Sequence, residues 1–172
     1  MILRRRHDII PAMEIRFGSI DDLNILTAAE AECFPPSERA GEDAIKARLC
    51  AFPEHFLLLF EDGEFAAYID GAVTAQSDLT DEMFKDTTLH TEGGSWQMIF
   101  GLGVKSRFRG KGYAAELLKK FEELARIQNR LGLVLTCKPQ LVNFYAGFGY
   151  DDEGICSSTH GNAVWHQMRL KF

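Results

Sequence analysis

The stretch Met98-Ile99-Phe100-Gly101-Leu102-Gly103-Val104, followed two residues later by Arg107-Phe108-Arg109-Gly110-Lys111-Gly112, decides the fold. An apolar, β-prone run leads into a glycine loop, and residues 113–131 then carry helical periodicity. The pattern predicts a strand feeding a tight loop that opens a helix. Gly110 and Gly112 let the backbone turn sharply and come close to a ligand. The first N–H groups of the helix have no intrahelical partner, and the helix dipole favours negative charge there. With Arg107, Arg109 and Lys111 as cations, the segment reads as a cradle for a polyphosphate.

Spacing excludes two common polyphosphate motifs. A P-loop needs Gly five positions before the Gly-Lys pair and Ser or Thr after it, where this chain has Lys105 and Gly112. A dinucleotide fingerprint starting at Gly101 and Gly103 meets Ser106 in place of its third small residue. The segment does match Arg-x-x-Gly-x-Gly after a strand. Downstream come the short strand-like run Leu133-Val134-Leu135-Thr136-Cys137, the breaker Lys138-Pro139, and Asn143-Phe144-Tyr145-Ala146-Gly147-Phe148-Gly149-Tyr150.

Together these segments resemble the GNAT (Gcn5-related N-acetyltransferase) superfamily from about residue 15 to the C-terminus. The resemblance implies a mixed α/β (α+β) fold with a mostly antiparallel central sheet. That sheet is expected to splay where 100–104 and 133–137 diverge, admitting acetyl-CoA. Arg107, Phe108, Arg109, Gly110, Lys111, Gly112 and Tyr113 become the candidate pyrophosphate loop, Leu102, Gly103 and Val104 the strand along the acyl arm, and Asn143 a further contact to that arm. Tyr145 falls where the family places a tyrosine beside the thioester sulfur, as general acid. Gly101 and Gly103 suit a β-bulge whose neighbours Phe100, Leu102 and Val104 offer backbone groups to the developing oxyanion.

A narrower likeness rests on Glu30-Ala31-Glu32-Cys33-Phe34-Pro35, Gly93-Gly94 and Asn143-Phe144-Tyr145, which resemble the arylalkylamine (serotonin) N-acetyltransferase branch. In its animal members two histidines on the cofactor strand lead protons away from the amine. Met98 and Phe100 stand at those positions, so this chain lacks that path. An alkylamine has a pKa near ~10.4 and must lose a proton before it attacks a thioester. Glu32, His90 and His160 are the candidate bases.

Other readings bound the function. The 172 residues carry a net charge of −6, which argues against a nucleic-acid surface and suits a cationic acceptor. No apolar run approaches the ~20 residues of a membrane helix, and 1–12 lacks the apolar core of a signal peptide. Residues 1–12 read as an extension before a single domain over 13–172. Cys33, Cys50, Cys137 and Cys156 show neither disulfide nor metal spacing, so free thiols, a reducing cytoplasmic setting and no metal are expected. Cys137 lies on the strand beside the expected thioester and could be acylated, although no activating base can be placed next to it.

Before the loop, 21–34 and 42–52 read as helices joined by Phe34-Pro35-Pro36-Ser37, Met13-Glu14-Ile15-Arg16-Phe17 as a first strand, and 56–69 as a hairpin turning at Asp62-Gly63. Gly71-Ala72-Val73 reads as a continuation of its second strand, residues 78–94 as a capped short helix, and 154–172 as a closing hairpin over the acceptor side. The expected activity is acetyl transfer from acetyl-CoA to a small-molecule primary amine in a ternary complex, with a homodimer left open. Two alternatives are an acyl-CoA-binding protein without turnover and a peptide or protein amine acetyltransferase.

Overall fold

The computed structural model describes residues 12–172, so the extension read at 1–12 lies, but for Ala12, outside the described residues. Two sheets form the frame. The first has the order β1 (Met13–Phe17), β2 (Phe56–Glu61), β3 (Glu64–Asp70), β6 (Gly101–Val104), all antiparallel. The second runs β4 (Val73–Thr74), β5 (Trp96–Met98), β7 (Gly132–Cys137), β9 (His166–Lys171), β8 (Asp151–Ile155), with β5 and β7 parallel. Helices α1 (Leu23–Cys33), α2 (Glu42–Ala51), α3 (Tyr113–Ile127) and α4 (Val142–Ala146) flank them.

The uninterrupted run Phe56-Leu57-Leu58-Leu59-Phe60 is explained by cover on both faces. Leu57 and Leu59 pack with Leu117, Leu118 and Phe121 of α3, while Phe56 and Leu58 pack with Leu26, Ile45 and Leu49 of α1 and α2. The β2–β3 hairpin turns on Asp62 at φ 49° and Gly63 at φ 81°, the two positive values that an Asp-Gly turn supplies.

The splay falls where the family resemblance places it, with one difference. The apolar run 98–104 is two strands in two sheets, interrupted at Ile99–Phe100. The Ile99 N–H donates to the Val134 carbonyl of β7 (2.9 Å), and the Phe100 N–H donates the other way, to the Asp70 carbonyl of β3 (2.7 Å). Beyond that point β6 pairs only with β3 and β7 only with β9, so a cleft opens between them.

Other departures have local causes. β3 stops at Asp70 because Gly71 passes against β5, where a Cβ would lie 1.7 Å from the Met98 carbonyl oxygen, and Val73 continues in the second sheet. Helix α3 ends at Ile127 because Asn129 turns left-handed (φ 58°) and the Arg130 N–H caps the Ala125 carbonyl at 3.0 Å. Residues 78–94 form two single 3-10 turns, Asp81–Phe84 and Thr87–Leu89, rather than one helix. The closing hairpin begins at Asp151.

The close pass at Gly71 gives a direct test. Gly71→Ala is expected to cost ~3 kcal/mol, because the obstacle is backbone rather than a movable side chain. Gly93→Ala, whose Cβ would meet nothing within 4 Å, should change stability by less than ~0.5 kcal/mol. Thermal unfolding of the two variants side by side checks this, and equal melting temperatures would contradict it.

Candidate active site

Two cavities meet at the splay. The outer one, about 520 Å³, lies against the start of α3 and is lined by Leu102, Gly103, Val104, Phe108, Arg109, Gly110, Gly112 and Tyr113. The inner one, about 180 Å³, runs between β6 and β7 to Tyr145 and on to Glu30, Arg48, Phe84 and His160. Phe34, Leu102 and Leu141 belong to both walls, so the two are halves of one cleft.

The outer half is built for an anion. Gly110 (φ 79°) and Gly112 (φ 86°) hold left-handed conformations that suit glycine, and a Cβ on either would project into open space. Gly112 is the N-cap residue of α3, and no side chain caps that end. The first N–H groups of a 15-residue helix therefore face the cavity with only solvent or a ligand to satisfy them. Glu32 clips the loop to the end of α1, accepting from the Ser106 N–H at 2.6 Å and its Oγ at 2.7 Å.

Not every cation of the loop faces that cavity. Arg109 lines it, its Nε donating to the Val104 carbonyl at 3.1 Å. Arg107 pairs instead with Glu64 (2.7 Å) and Lys111 with both oxygens of Glu61 (2.8 Å), each cation lying over the Phe108 ring. Tyr113 donates its hydroxyl to Glu61, and that bond leads its pKa up to about 12. Asn143 is exposed on α4 and lines neither half, whereas its neighbours Leu141 and Phe144 do.

The inner half holds Tyr145, 8 % exposed, with burial pushing its hydroxyl well above the usual phenol range. The phenol therefore stays protonated and available as a donor. Cys137 is nearby, and burial raises its thiol to about 11, which leaves almost no thiolate near neutral pH.

Sequence reasoning named three bases, and the structure brings one of them to the cavity. His160 lines it, with Nε2 2.8 Å from the Glu38 carbonyl oxygen and the ring stacked on Phe84. Glu32 serves the loop. His90 lies apart, in a cluster with His55 and Glu92 that has metal-type donors. There the Val73 N–H donates to His90 Nδ1 (3.1 Å), which places the ring proton on Nε2, 3.3 Å from Glu92. Arg130 holds the other oxygen of Glu92 at 2.6 Å. The cluster acts as a latch between the 78–94 segment and the end of α3, and His90 Nε2 has no lone pair left for a metal.

The residue missed is Glu30. It is 5 % exposed on α1, lines the inner cavity, and accepts from Tyr68 Oη (2.5 Å) and the Ala40 N–H (2.9 Å). Burial raises its pKa above the ordinary carboxylate value. The signal was present, since Glu30 falls four residues after Leu26 on the apolar stripe of α1. Beside it, Arg48 pairs with Asp70 at 3.0 Å and donates to the Phe84 carbonyl at 2.7 Å, both charges being almost fully buried. Gly101 and Gly103 are required by this cluster rather than by a ligand. A Cβ on Gly103 would lie 2.6 Å from the Tyr68 ring, and one on Gly101 2.8 Å from Asp70 Oδ1. The expected bulge at these glycines is replaced by the interruption at Ile99–Phe100.

Comparison with known proteins agrees with this geometry. The model of the acetyltransferase (GNAT) family matches residues 23–150. The serotonin N-acetyltransferase of Mesocricetus auratus is 31% identical over 170 residues, covering 96% of this chain and 80% of that protein. Among solved structures, the loading GNATL domain of CurA from Lyngbya majuscula superposes with a TM-score of 0.81 at 16% identity, covering 93% of this chain and 98% of that one. The PaiA N-acetyltransferase of Thermoplasma acidophilum, solved in complex with coenzyme A, gives 0.71 at 17% identity, covering 94% and 99%.

The thiols offer a check on the inner cavity. Cys50 is exposed and Cys137 is buried with a raised pKa. Titration of the native protein with a disulfide reagent at pH 7.5 is expected to modify Cys50 readily and Cys137 only on unfolding. Fast modification of Cys137, mapped by mass spectrometry, would contradict the assigned environment.

Proposed function

The chain belongs to the acetyltransferase (GNAT) family and takes its acetyl group from acetyl-CoA, and we propose that it delivers that group to the primary amine of a small molecule by direct attack in a ternary complex. The observation carrying this reading is the two-part cleft, with an anion cradle at one end and a buried carboxylate at the other. The residues fit the co-substrate. The uncapped start of α3, Gly110, Gly112 and Arg109 would receive the pyrophosphate, and Leu102, Gly103 and Val104 would run beside the acyl arm toward the splay.

The acceptor would enter the inner half, walled by Phe34, Phe84, Phe100 and Trp165 and holding Glu30 at its end. Such a lining suits a compact cation with an apolar body. Glu30 is the general base of this proposal, because it is the buried carboxylate on the cavity wall, whereas Glu38 is held by Lys138 at 2.7 Å. It would take a proton from the ammonium group, and the free amine would attack the thioester carbonyl. The Tyr145 hydroxyl, kept protonated by burial, would donate to the sulfur as charge develops there. Direct attack is supported over an acyl-enzyme by the raised Cys137 thiol.

The relatives named serotonin N-acetyltransferase support an arylalkylamine as the acceptor. A turnover screen with acetyl-CoA against arylalkylamines, polyamines, aminoglycosides and a peptide N-terminus tests the class. Turnover is expected with the arylalkylamines. Tight CoA binding without turnover of any amine would replace this reading with that of a binding protein. Tyr145→Phe is expected to lower kcat by about 10²-fold, and an unchanged kcat across the pH range would remove Tyr145 from the mechanism. Because Glu30 must be ionised to accept a proton and its pKa is raised, kcat/KM should fall as pH drops through a value above the ordinary carboxylate range. Glu30→Gln should abolish that acid limb.

A further inference from the structure

Asp70 has no part in the mechanism so far, yet its position is costly. It is 1 % exposed at the end of β3, and only one of its oxygens, Oδ2, is bound by Arg48. Oδ1 faces Gly101 without a hydrogen bond of good geometry. A buried carboxylate oxygen left without a full partner is strongly disfavoured. The Arg48 guanidinium, with Nε also unpartnered among the described residues and stacked 4.8 Å over Phe100, only partly offsets this.

The space beside Gly101 explains what Oδ1 is near. A Cβ on Gly101 would lie 2.8 Å from Asp70 Oδ1 and 3.4 Å from Glu30 Oε1. Both carboxylates thus border the gap left by one missing methyl group, on the face of β6 turned toward α1. From that geometry we propose that Asp70 and Glu30 form an electrostatically coupled carboxylate pair, in which Asp70 acts through Glu30 to make it the base for the acceptor amine. The proposal rests on Glu30 being the base, and it supplies the device that makes a carboxylate basic enough for the task.

The groups facing the pair are Arg48 from α2, Tyr68 from β3, Cys33 from α1 and His160 from the closing segment. Arg48 and the Tyr68 hydroxyl favour the ionised forms. Burial opposes them in both, and at Asp70 the Glu30 charge opposes them as well. For Asp70 burial dominates and brings its pKa to about 6, with Arg48 lowering it and Glu30 raising it. Asp70 therefore takes up a proton as the pH falls through about 6, and Glu30, raised above the ordinary carboxylate value, must be ionised for the pair to act as a base.

The proton balance closes. One N–H bond of the ammonium breaks and an O–H bond forms on Glu30, the charge of the pair passing from −2 to −1. The neutral amine forms the new C–N bond as the C–S bond breaks. The second nitrogen proton goes to the thiolate by way of the Tyr145 hydroxyl, and the proton on the pair leaves to solvent after the products.

Asp70 is a positioning residue, so the test reads a pH profile rather than activity alone. With acetyl-CoA and phenylethylamine, Asp70→Asn is expected to move the acid limb of kcat/KM to lower pH by ~1 unit, since removal of a like charge makes Glu30 a weaker base. An acid limb that vanishes in Glu30→Gln but stays fixed in Asp70→Asn overturns the pair while leaving Glu30 as the base. A limb unmoved in both variants overturns the Glu30 reading as well. Carboxyl ¹³C NMR of the wild-type protein decides the matter even if Asp70→Asn fails to fold or phenylethylamine is not turned over. Expected are two shared inflections in the titrations of Glu30 and Asp70. Two independent single titrations would overturn the proposal.

Discussion

Ile99 and Phe100 are neighbours whose N–H groups donate in opposite directions, one to Val134 of β7 and the other to the Asp70 carbonyl of β3. Alternation of donors is ordinary in a strand flanked on both sides. Here it marks the last rung of one sheet and the first of the other. The cleft depends on that exchange, because beyond it neither β6 nor β7 has a partner on the side facing the other. Gly71 permits it from the opposite strand, where a side chain would collide with the Met98 carbonyl. The two sheets cross at one point, and the inner cavity begins there.

Cover on both sides keeps this open seam stable. Strands β2 and β3 are buried by α3 on one face and by α1 and α2 on the other, so the first sheet is held by two separate apolar clusters. A third, smaller cluster of Leu79, Met83, Met98 and Val134 seats the 78–94 segment over the crossing. That segment brings Phe84 to the wall of the inner cavity, and its backbone carbonyl holds Arg48. The stretch with the weakest sequence pattern is thus fixed by long-range bonds, among them the His90–Glu92–Arg130 latch.

The order of strand, loop and helix and the Asp-Gly hairpin were legible because each follows from local chemistry: period, turn residues and helix ends, whereas the location of the splay came from the family resemblance. The partners of side chains were not legible. Arg107, Arg109 and Lys111 are equivalent as cations in the sequence, yet Glu64 and Glu61, more than forty residues away, take two of them. Gly101 and Gly103 read as a bulge for a ligand, whereas Tyr68 and Asp70 need their missing side chains. Glu30 was passed over for Glu32 because a helix periodicity read for its apolar positions does not ask why a carboxylate stands among them. One sequence cannot show which of two nearby glutamates is desolvated, since that depends on Tyr68, Ala40 and Asp70 arriving from elsewhere.

The same constraint bears on Met98 and Phe100. Met98 is fully buried in the small cluster under the 78–94 segment, and Phe100 lies between Arg48 and Phe84. Neither environment could accept a charged imidazolium: one is closed and apolar, and the other already faces a guanidinium. In the proposed reaction the oxygen available to a departing proton lies on the α1 side of β6, where Glu30, Tyr68 and Asp70 gather behind two glycines. On β6 itself Leu102 and Val104 pack with the α3 cluster, while Gly101 and Gly103 face Asp70, Glu30 and Tyr68 on the α1 side. The first pair seals the cofactor strand against the neighbouring core, and the second lets a buried carboxylate approach the strand closely enough to serve the cleft.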